Sequence, residues 1–298
     1  MKITFLGTSD AIPTPERNHT SILLNFKDEN ILVDCGEGTQ RQIYTARISP
    51  AKLTRLLITH WHGDHVLGIP GLLQTLGFSE YTGTLKVYGP SRTREFFSYL
   101  LKLFNSTYVQ KIKMDIQEVR TGKIIDEKEF FVSAERLKHY NCFGYRFEEK
   151  ERRRIDLDYI KKLGITPGPI LKKLQNGEDI VWKGKKVSAK KATFVVKGKV
   201  VSFIFDTGYC KEAITLAKDA DIVIAESTYL NEHAQFAKER DHLTAEQAGK
   251  IAKEAGARKL FLIHLSRRYF GKEEQVLKEA KKVFPNTFLA KDLMSIEL

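Results

Sequence analysis

Seven residues set the tightest limit on what this chain can fold into: Thr59-His60-Trp61-His62-Gly63-Asp64-His65, directly after the apolar run Leu56-Leu57-Ile58. Three imidazoles and a carboxylate packed into six positions are costly to bury unless a cation binds them. In a loop after a strand, positions i, i+2, i+4 and i+5 can converge, and Gly63 is expected to permit the tight turn that folds Asp64 and His65 back. Four ligands in one loop cannot fill two metal sites, so further donors must come from elsewhere in the chain. Nitrogen and oxygen donors of this kind suit Zn, Mn or Fe, with affinity favouring Zn over Mn.

The other histidines are His19, His139, His233, His242 and His264. His264 follows the apolar run Leu260–Ile263, and Asp206 follows Val201–Phe205, so both sit where a strand hands over to a loop. A site at a sheet edge requires that placement. Short β-rich runs are predicted at Lys2–Leu6, Ser21–Asn25, Asn30–Val33, Arg55–Thr59 and Leu85–Tyr88, with helices at Gly71–Leu76 and at Arg92–Leu103 behind Ser91 as N-cap. The grammar recurs as strand Val200–Phe205, helix Lys211–Lys218, strand Ile222–Ala225, helix Thr244–Glu254, strand Leu260–Ile263 and helix Lys272–Val283. Two α/β halves of this kind are expected to place two sheets face to face under a cover of helices.

Between the halves the pattern breaks. From Arg146 to Lys199 there are sixteen Lys and Arg against seven Asp and Glu, which concentrates most of the chain's +12 formal charge in one segment. Its Gly and Pro residues, around Gly164 to Pro169, oppose regular structure and favour an arm or long loop. Cys35, Cys142 and Cys210 are too few and too unpaired for a disulfide framework, which points to a reducing compartment. Met1–Gly7 lacks the features of a signal peptide, and no apolar stretch approaches the ~20 residues of a membrane span, so a soluble cytoplasmic protein without a membrane partner is expected.

His60-x-His62-x-Asp64-His65 resembles the signature of the metallo-β-lactamase superfamily, whose fold is an αβ/βα sandwich with a metal site at one edge of the sheets. Within it the chain more closely resembles the ribonuclease Z family, short form, the tRNA 3′-processing endonucleases. That likeness extends through Phe5-Leu6-Gly7-Thr8-Ser9, Phe205-Asp206-Thr207-Gly208, Ala225-Glu226-Ser227-Thr228, His242-Leu243-Thr244 and His264-Leu265-Ser266-Arg267-Arg268-Tyr269. Pro13-Thr14-Pro15-Glu16-Arg17-Asn18 resembles the family's Pro-x-Lys-x-Arg-Asn loop, with Pro15 where the family has Lys.

The resemblance implies one α/β domain over 1–298, with a basic exosite arm inserted within about 146–199. It implies one metal on His60, His62 and His139, another on Asp64, His65 and His264, and Asp206 bridging. Two Zn2+, or Mn2+ or another divalent ion, are the implied cofactors. Asp64, His242 and Glu226 are the candidate catalytic groups, with His242 as general acid oriented by Glu226. Arg17 and Asn18, and Gly168, Pro169, Lys172 and Lys173 near the arm's tip, are the candidate substrate contacts. Precursor tRNA is the implied partner, and a homodimer the implied assembly. Cleavage would leave a 3′ hydroxyl on the tRNA and a 5′ phosphate on the trailer. A dinuclear hydrolase of small phosphodiesters or other esters is the alternative, but a small substrate gives no reason to concentrate charge in one arm. A noncatalytic RNA-binding protein would explain the arm and leave the His/Asp cluster idle.

Overall fold

The computed structural model describes residues 1–104 and 107–298, and the chain divides into two compact units. The larger comprises 1–124, 132–147 and 200–298, and the smaller 125–131 and 148–199.

The larger unit is built on two sheets. The first contains β1 (Lys2–Gly7), β2 (Ser21–Phe26), β3 (Glu29–Val33), β4 (Arg55–Leu57), β5 (Thr84–Gly89) and β6 (Lys113–Glu118). These follow one another in space, and the chain returns at its end to add Ser295–Glu297 beside β1. The strands β7 (Gly122–Asp126), β8 (Phe130–Arg136) and β9 (Phe143–Glu149) belong to the second sheet. Alternation along the strands assigns each side chain to a face. Leu6, Leu23, Leu32 and Leu56 pack under the helices Ile69–Phe78 and Thr93–Leu103 in one buried cluster. Their neighbours point the other way, toward the second sheet. Phe5 meets Phe261 at 5.6 Å between ring centroids, and the Tyr145 hydroxyl donates to the Ile58 carbonyl at 2.6 Å. This is the expected sandwich.

The small unit corrects the expectation of an irregular arm. It holds β10 (Arg152–Ile155), β11 (Ile180–Trp182), β12 (Lys185–Val187) and β13 (Thr193–Val196), with short helices at Leu157–Lys162, Pro169–Gln175 and Ala189–Ala192. Ile160, Ile165, Leu174, Ile180, Val187, Ala189 and Ala192 form its own core, and Tyr159 and Trp182 pack against that core. Gly and Pro punctuate short elements here rather than abolish them: Gly164 takes a left-handed turn and Pro169 opens a helix. Pairing of β10 with β13 makes a stem, closed by the Glu149 amide donating to the Lys199 carbonyl at 2.9 Å.

The second sheet of the larger unit is completed by β14 (Val200–Ile204), β15 (Ile222–Glu226), β16 (Leu260–Ile263) and β17 (Thr287–Leu289), in the order β17-β16-β15-β14-β9-β8-β7. The run β14 to β17 is parallel, as is the run β3 to β6. Parallel neighbours deliver their carboxyl ends to the same edge. Two helix starts differ from expectation. Pro70 lies inside the first turn of Ile69–Phe78, where its missing N–H costs nothing. Thr93–Leu103 is preceded not by a Ser91 cap but by Arg92 with φ at 72°, while Thr93 Oγ1 bonds back to the Pro90 carbonyl at 2.6 Å.

Candidate metal centre

The expected donors meet at that shared edge. β4 runs out into His60, β14 into Asp206, β15 ends at Glu226, and β16 runs out into His264. The register aligns Ile204 with Ala225 and Glu226 with Ile263, so residues just past each strand end fall side by side. Asp206 and His264 have positive φ, 25° and 56°, as does Asp34 after β3 at 56°. Non-glycine residues in the left-handed region cost on the order of 1–3 kcal/mol, and here they turn side chains inward directly after a strand.

The Gly63 expectation is corrected. Gly63 has no positive φ; Gly63–Val66 is a single helical turn that places Asp64 and His65. The tight approach falls instead on Gly36 and Gly68. A Cβ on Gly36 would lie 2.3 Å from the Asp64 carbonyl oxygen, and one on Gly68 would lie 2.1 Å from that of Gly36. The Cys35 amide donates to the His65 carbonyl at 2.8 Å, fixing the helical turn to the loop after β3.

Two sets of four donors result, each with ligand atoms within 4.8 Å of one another: His60, His62, His139 and Asp206, and Asp64, His65, Asp206 and His264; a group of three, Glu226, His242 and His264, lies equally close together. Asp206 belongs to both. Its Oδ2 is 3.6 Å from His60 Nε2, while its Oδ1 is 3.3 Å from His65 Nε2 and 3.2 Å from His264 Nε2. His62 Nδ1 lies 2.9 Å from His60 Nε2 and 3.3 Å from His139 Nε2. Asp64 Oδ2 lies 3.3 Å from His65 Nε2 and 3.4 Å from His264 Nε2.

The supporting contacts fix how the rings face. His65 Nδ1 is 2.7 Å from Asp34 Oδ2, which also accepts from the Thr59 hydroxyl at 2.7 Å. That hydroxyl accepts from His60 Nδ1 at 3.0 Å. The second sheet repeats the device: His264 Nδ1 donates to the Thr228 hydroxyl at 2.8 Å, which donates to Glu226 Oε2 at 2.6 Å. His139 Nδ1 donates to the Asp241 carbonyl at 3.1 Å. With Nδ1 held by these partners, Nε2 is the ring atom left to face the cluster.

A divalent metal fits these residues. His65 Nε2 and Asp206 Oδ1 are buried side-chain atoms with no hydrogen-bond partner, and both are aimed into the second set. Burial, followed by the neighbouring His65, holds His60 well below its ordinary value and therefore neutral. Burial opposes charge on His65 too, but Asp206, Asp34 and Asp64 raise it well above its ordinary value. Burial would raise Asp206, yet His264 and His65 pull it well below. Such a surplus of buried carboxylate calls for positive charge.

His242 and Glu226 stand beside the cluster. His242 Nδ1 is 2.9 Å from Glu226 Oε1, and Glu226 is fully buried, also accepting from the Thr207 amide at 2.7 Å. Burial works against charge on His242, but the Glu226 carboxylate overrides it and pushes the imidazole up to about 9. Thr244 caps the following helix in a reciprocal box with Gln247. A cavity of about 520 Å³ opens over the cluster, walled by Asp10, His62, Asp64, His242 and the arginines 240, 267 and 268.

Arg17 is buried, with Nη1 donating to the Thr8 hydroxyl at 2.6 Å and the Ala290 carbonyl at 2.8 Å, so its guanidinium ties the first strand's loop to the chain end instead of meeting solvent. Asn18 is similarly engaged: its amide donates to Asp292 Oδ2 at 2.6 Å and its side chain to the Glu37 carbonyl. Gly168, Pro169, Lys172 and Lys173 are exposed on the small unit. His19 and His233 stay outside both donor sets, held by the Ala11 carbonyl and the Tyr269 hydroxyl. Sequence reasoning missed Asp34, Thr59, Thr228 and Arg240. Asp34 was detectable, since Val33-Asp34 repeats the strand-end carboxylate that marked Asp206.

A two-sheet sandwich with a His/Asp cluster at the carboxyl edge of its strands is the metallo-β-lactamase fold. Residues 162–265 match a model described as a β-lactamase superfamily domain, and 1–140 one described as the anti-Pycsar protein Apyc1. Ribonuclease Z of Methanothermobacter thermautotrophicus is 40% identical, over 100% of this chain and 97% of its own length. Ribonuclease Z of Methanosarcina acetivorans is 37% identical, over 100% and 98%. The chain belongs to the ribonuclease Z family. Among solved structures, human tRNase Z, short form, superposes with a TM-score of 0.71 at 26% identity, covering 100% of this chain and 99% of its own.

Proposed function

We propose that this protein is a metal-dependent endoribonuclease that removes the 3′ trailer from precursor tRNA. The observation that carries the reading is Asp206, whose two oxygens face two separate sets of imidazoles. On this reading His60, His62 and His139 would hold one zinc ion and Asp64, His65 and His264 a second, with Asp206 shared between them and Mn2+ as the substitute. Such cations offset the charge of a phosphodiester and make water a competent nucleophile at neutral pH.

The chain's own groups supply the proton transfers. Asp64 faces the cavity and takes the proton of the attacking water. The P–O3′ bond breaks, and His242 gives its proton to the departing 3′ oxygen, leaving a 3′ hydroxyl on the tRNA and a 5′ phosphate on the trailer. Glu226 does not reach the cavity; it positions His242 through Nδ1 and keeps it protonated. The cavity's Arg240, Arg267 and Arg268 favour a phosphodiester over a neutral ester, and the charge gathered over 148–199 favours a long polyanion over a small phosphodiester, so the small-substrate alternative is not preferred.

The basic unit over 148–199 is the proposed exosite, with Lys172 and Lys173 among its exposed phosphate contacts. A homodimer is proposed to cover the apolar groove of about 610 Å³ lined by Trp61, Phe96, Tyr99, Leu100 and Leu103. The free thiols of Cys35, Cys142 and Cys210 accord with a cytoplasmic setting. The deciding assay is precursor tRNA with zinc: one cut leaving a 3′ hydroxyl supports the reading, and cleavage of only small phosphodiesters contradicts it.

A further inference from the structure

Three arginines line the catalytic cavity, and two of them share one aromatic ring. The Arg240 and Arg268 guanidinium carbons each lie 5.8 Å from the Phe236 centroid. The Phe236 ring is itself backed by His233, stacked at 6.0 Å with a 22° tilt, and His233 bonds to the Tyr269 hydroxyl at 3.1 Å. Among the described residues, neither Arg240 nor Arg268 makes an ion pair with a carboxylate. Two like charges braced against one ring and facing one cavity repel each other until an anion lies between them. Arginine forks match phosphate oxygens in pairs.

Arg240 also says which phosphate. Its Nη1 donates to the Tyr229 hydroxyl at 3.1 Å, and the Tyr229 ring packs 6.1 Å from His242. His242 protonates the leaving 3′ oxygen in the proposed reaction, so the arginine pair stands on the leaving-group side. The geometry points to Arg240 and Arg268, held in place by Phe236, as a seat for the non-scissile phosphate on the 5′ side of the nucleotide whose 3′ oxygen departs. Arg240 and Arg268 bind that phosphate; Phe236 is a positioning residue that aligns them. This inference rests on the proposed RNA-cleaving function.

The test combines a changed substrate with a changed protein. Precursor tRNA carrying one methylphosphonate at that linkage lacks the charge the pair is built for. With the parent protein, the modified substrate is expected to raise KM roughly tenfold, since hydrogen bonds to charged groups are the strong ones. Arg240→Ala is expected to show the same rise on the all-phosphate substrate, no further rise on the methylphosphonate, and a log–log salt slope smaller by about 0.7. Phe236→Leu should move KM in the same direction and Phe236→Tyr should restore it. A parent protein indifferent to the methylphosphonate, or an Arg240→Ala protein penalised by it as heavily as the parent, overturns the inference. Failure of the parent to cut precursor tRNA at all would instead overturn the function beneath it.

Discussion

Asp206 and His242 stand side by side yet answer different questions, and their substitutions should separate. Asp206→Ala removes the one carboxylate common to both donor sets, so metal content measured by atomic spectroscopy is expected to fall; full occupancy would remove it as the bridge. His242→Ala leaves both sets intact and is expected to retain metal while losing at least ~10²-fold in turnover, the usual worth of a positioned general acid. Asp34→Ala should weaken metal binding by roughly 10- to 100-fold without touching a ligand, because His65 loses the partner that orients it. As the proposed acid, His242 also sets a pH limit. His242 is raised to about 9 by Glu226, so its proton is available below that pH and lost as pH rises through it. Glu226→Gln removes the raising charge, and the alkaline limb of kcat should move to lower pH; an unmoved limb assigns it to another group. At this scale the sequence was most legible: every metal-ligand candidate lies in the cluster, since His and Asp immediately after apolar runs carry their own signal. A loop motif does not reveal which way its side chains turn, and the guanidinium of Arg17 turns inward. Thr228 escaped because a supporting hydrogen bond leaves no spacing pattern, whereas Asp34, directly after an apolar run, did carry the strand-end signal.

Strands were readable to within a residue or two where a short apolar run stops at a polar turn, as for Leu260–Ile263 and Ser21–Phe26. Helix starts were less so, because capping depends on backbone angles that Ser91 and Arg92 do not announce. Convergence of the loops after β3 and β4 needs bare backbone at Gly36, which is close to both Asp64 and His19. Gly36→Ala is therefore expected to destabilise the protein by about 1–3 kcal/mol, visible as a lowered denaturant midpoint, and to lower metal content with it. A parent-like midpoint would mean that these loops shift without cost.

The chain as a whole separates chemistry from charge. The His/Asp cluster belongs to the larger unit, and the stretch 148–199, with fifteen Lys and Arg against seven Asp and Glu, belongs to the smaller. Composition located that charge correctly, but reading Gly and Pro as signs of a long loop overlooked seven short elements closing on a core of their own. Because Glu149 and Lys199 are hydrogen-bonded neighbours, residues 150–198 can be replaced by a short turn. The shortened protein is expected to lose precursor-tRNA cleavage and its steep salt dependence while still hydrolysing a chromogenic phosphodiester. Equal loss of both would assign the unit a role in folding. Beneath all of this lies the claim that two divalent ions on seven residues drive cleavage of an RNA backbone. The most direct measurement is precursor-tRNA cleavage before chelation, after exhaustive chelation, and after titration with zinc. Activity should vanish with the metal and return as occupancy approaches two ions per chain. Full cleavage by the metal-free protein would contradict the account.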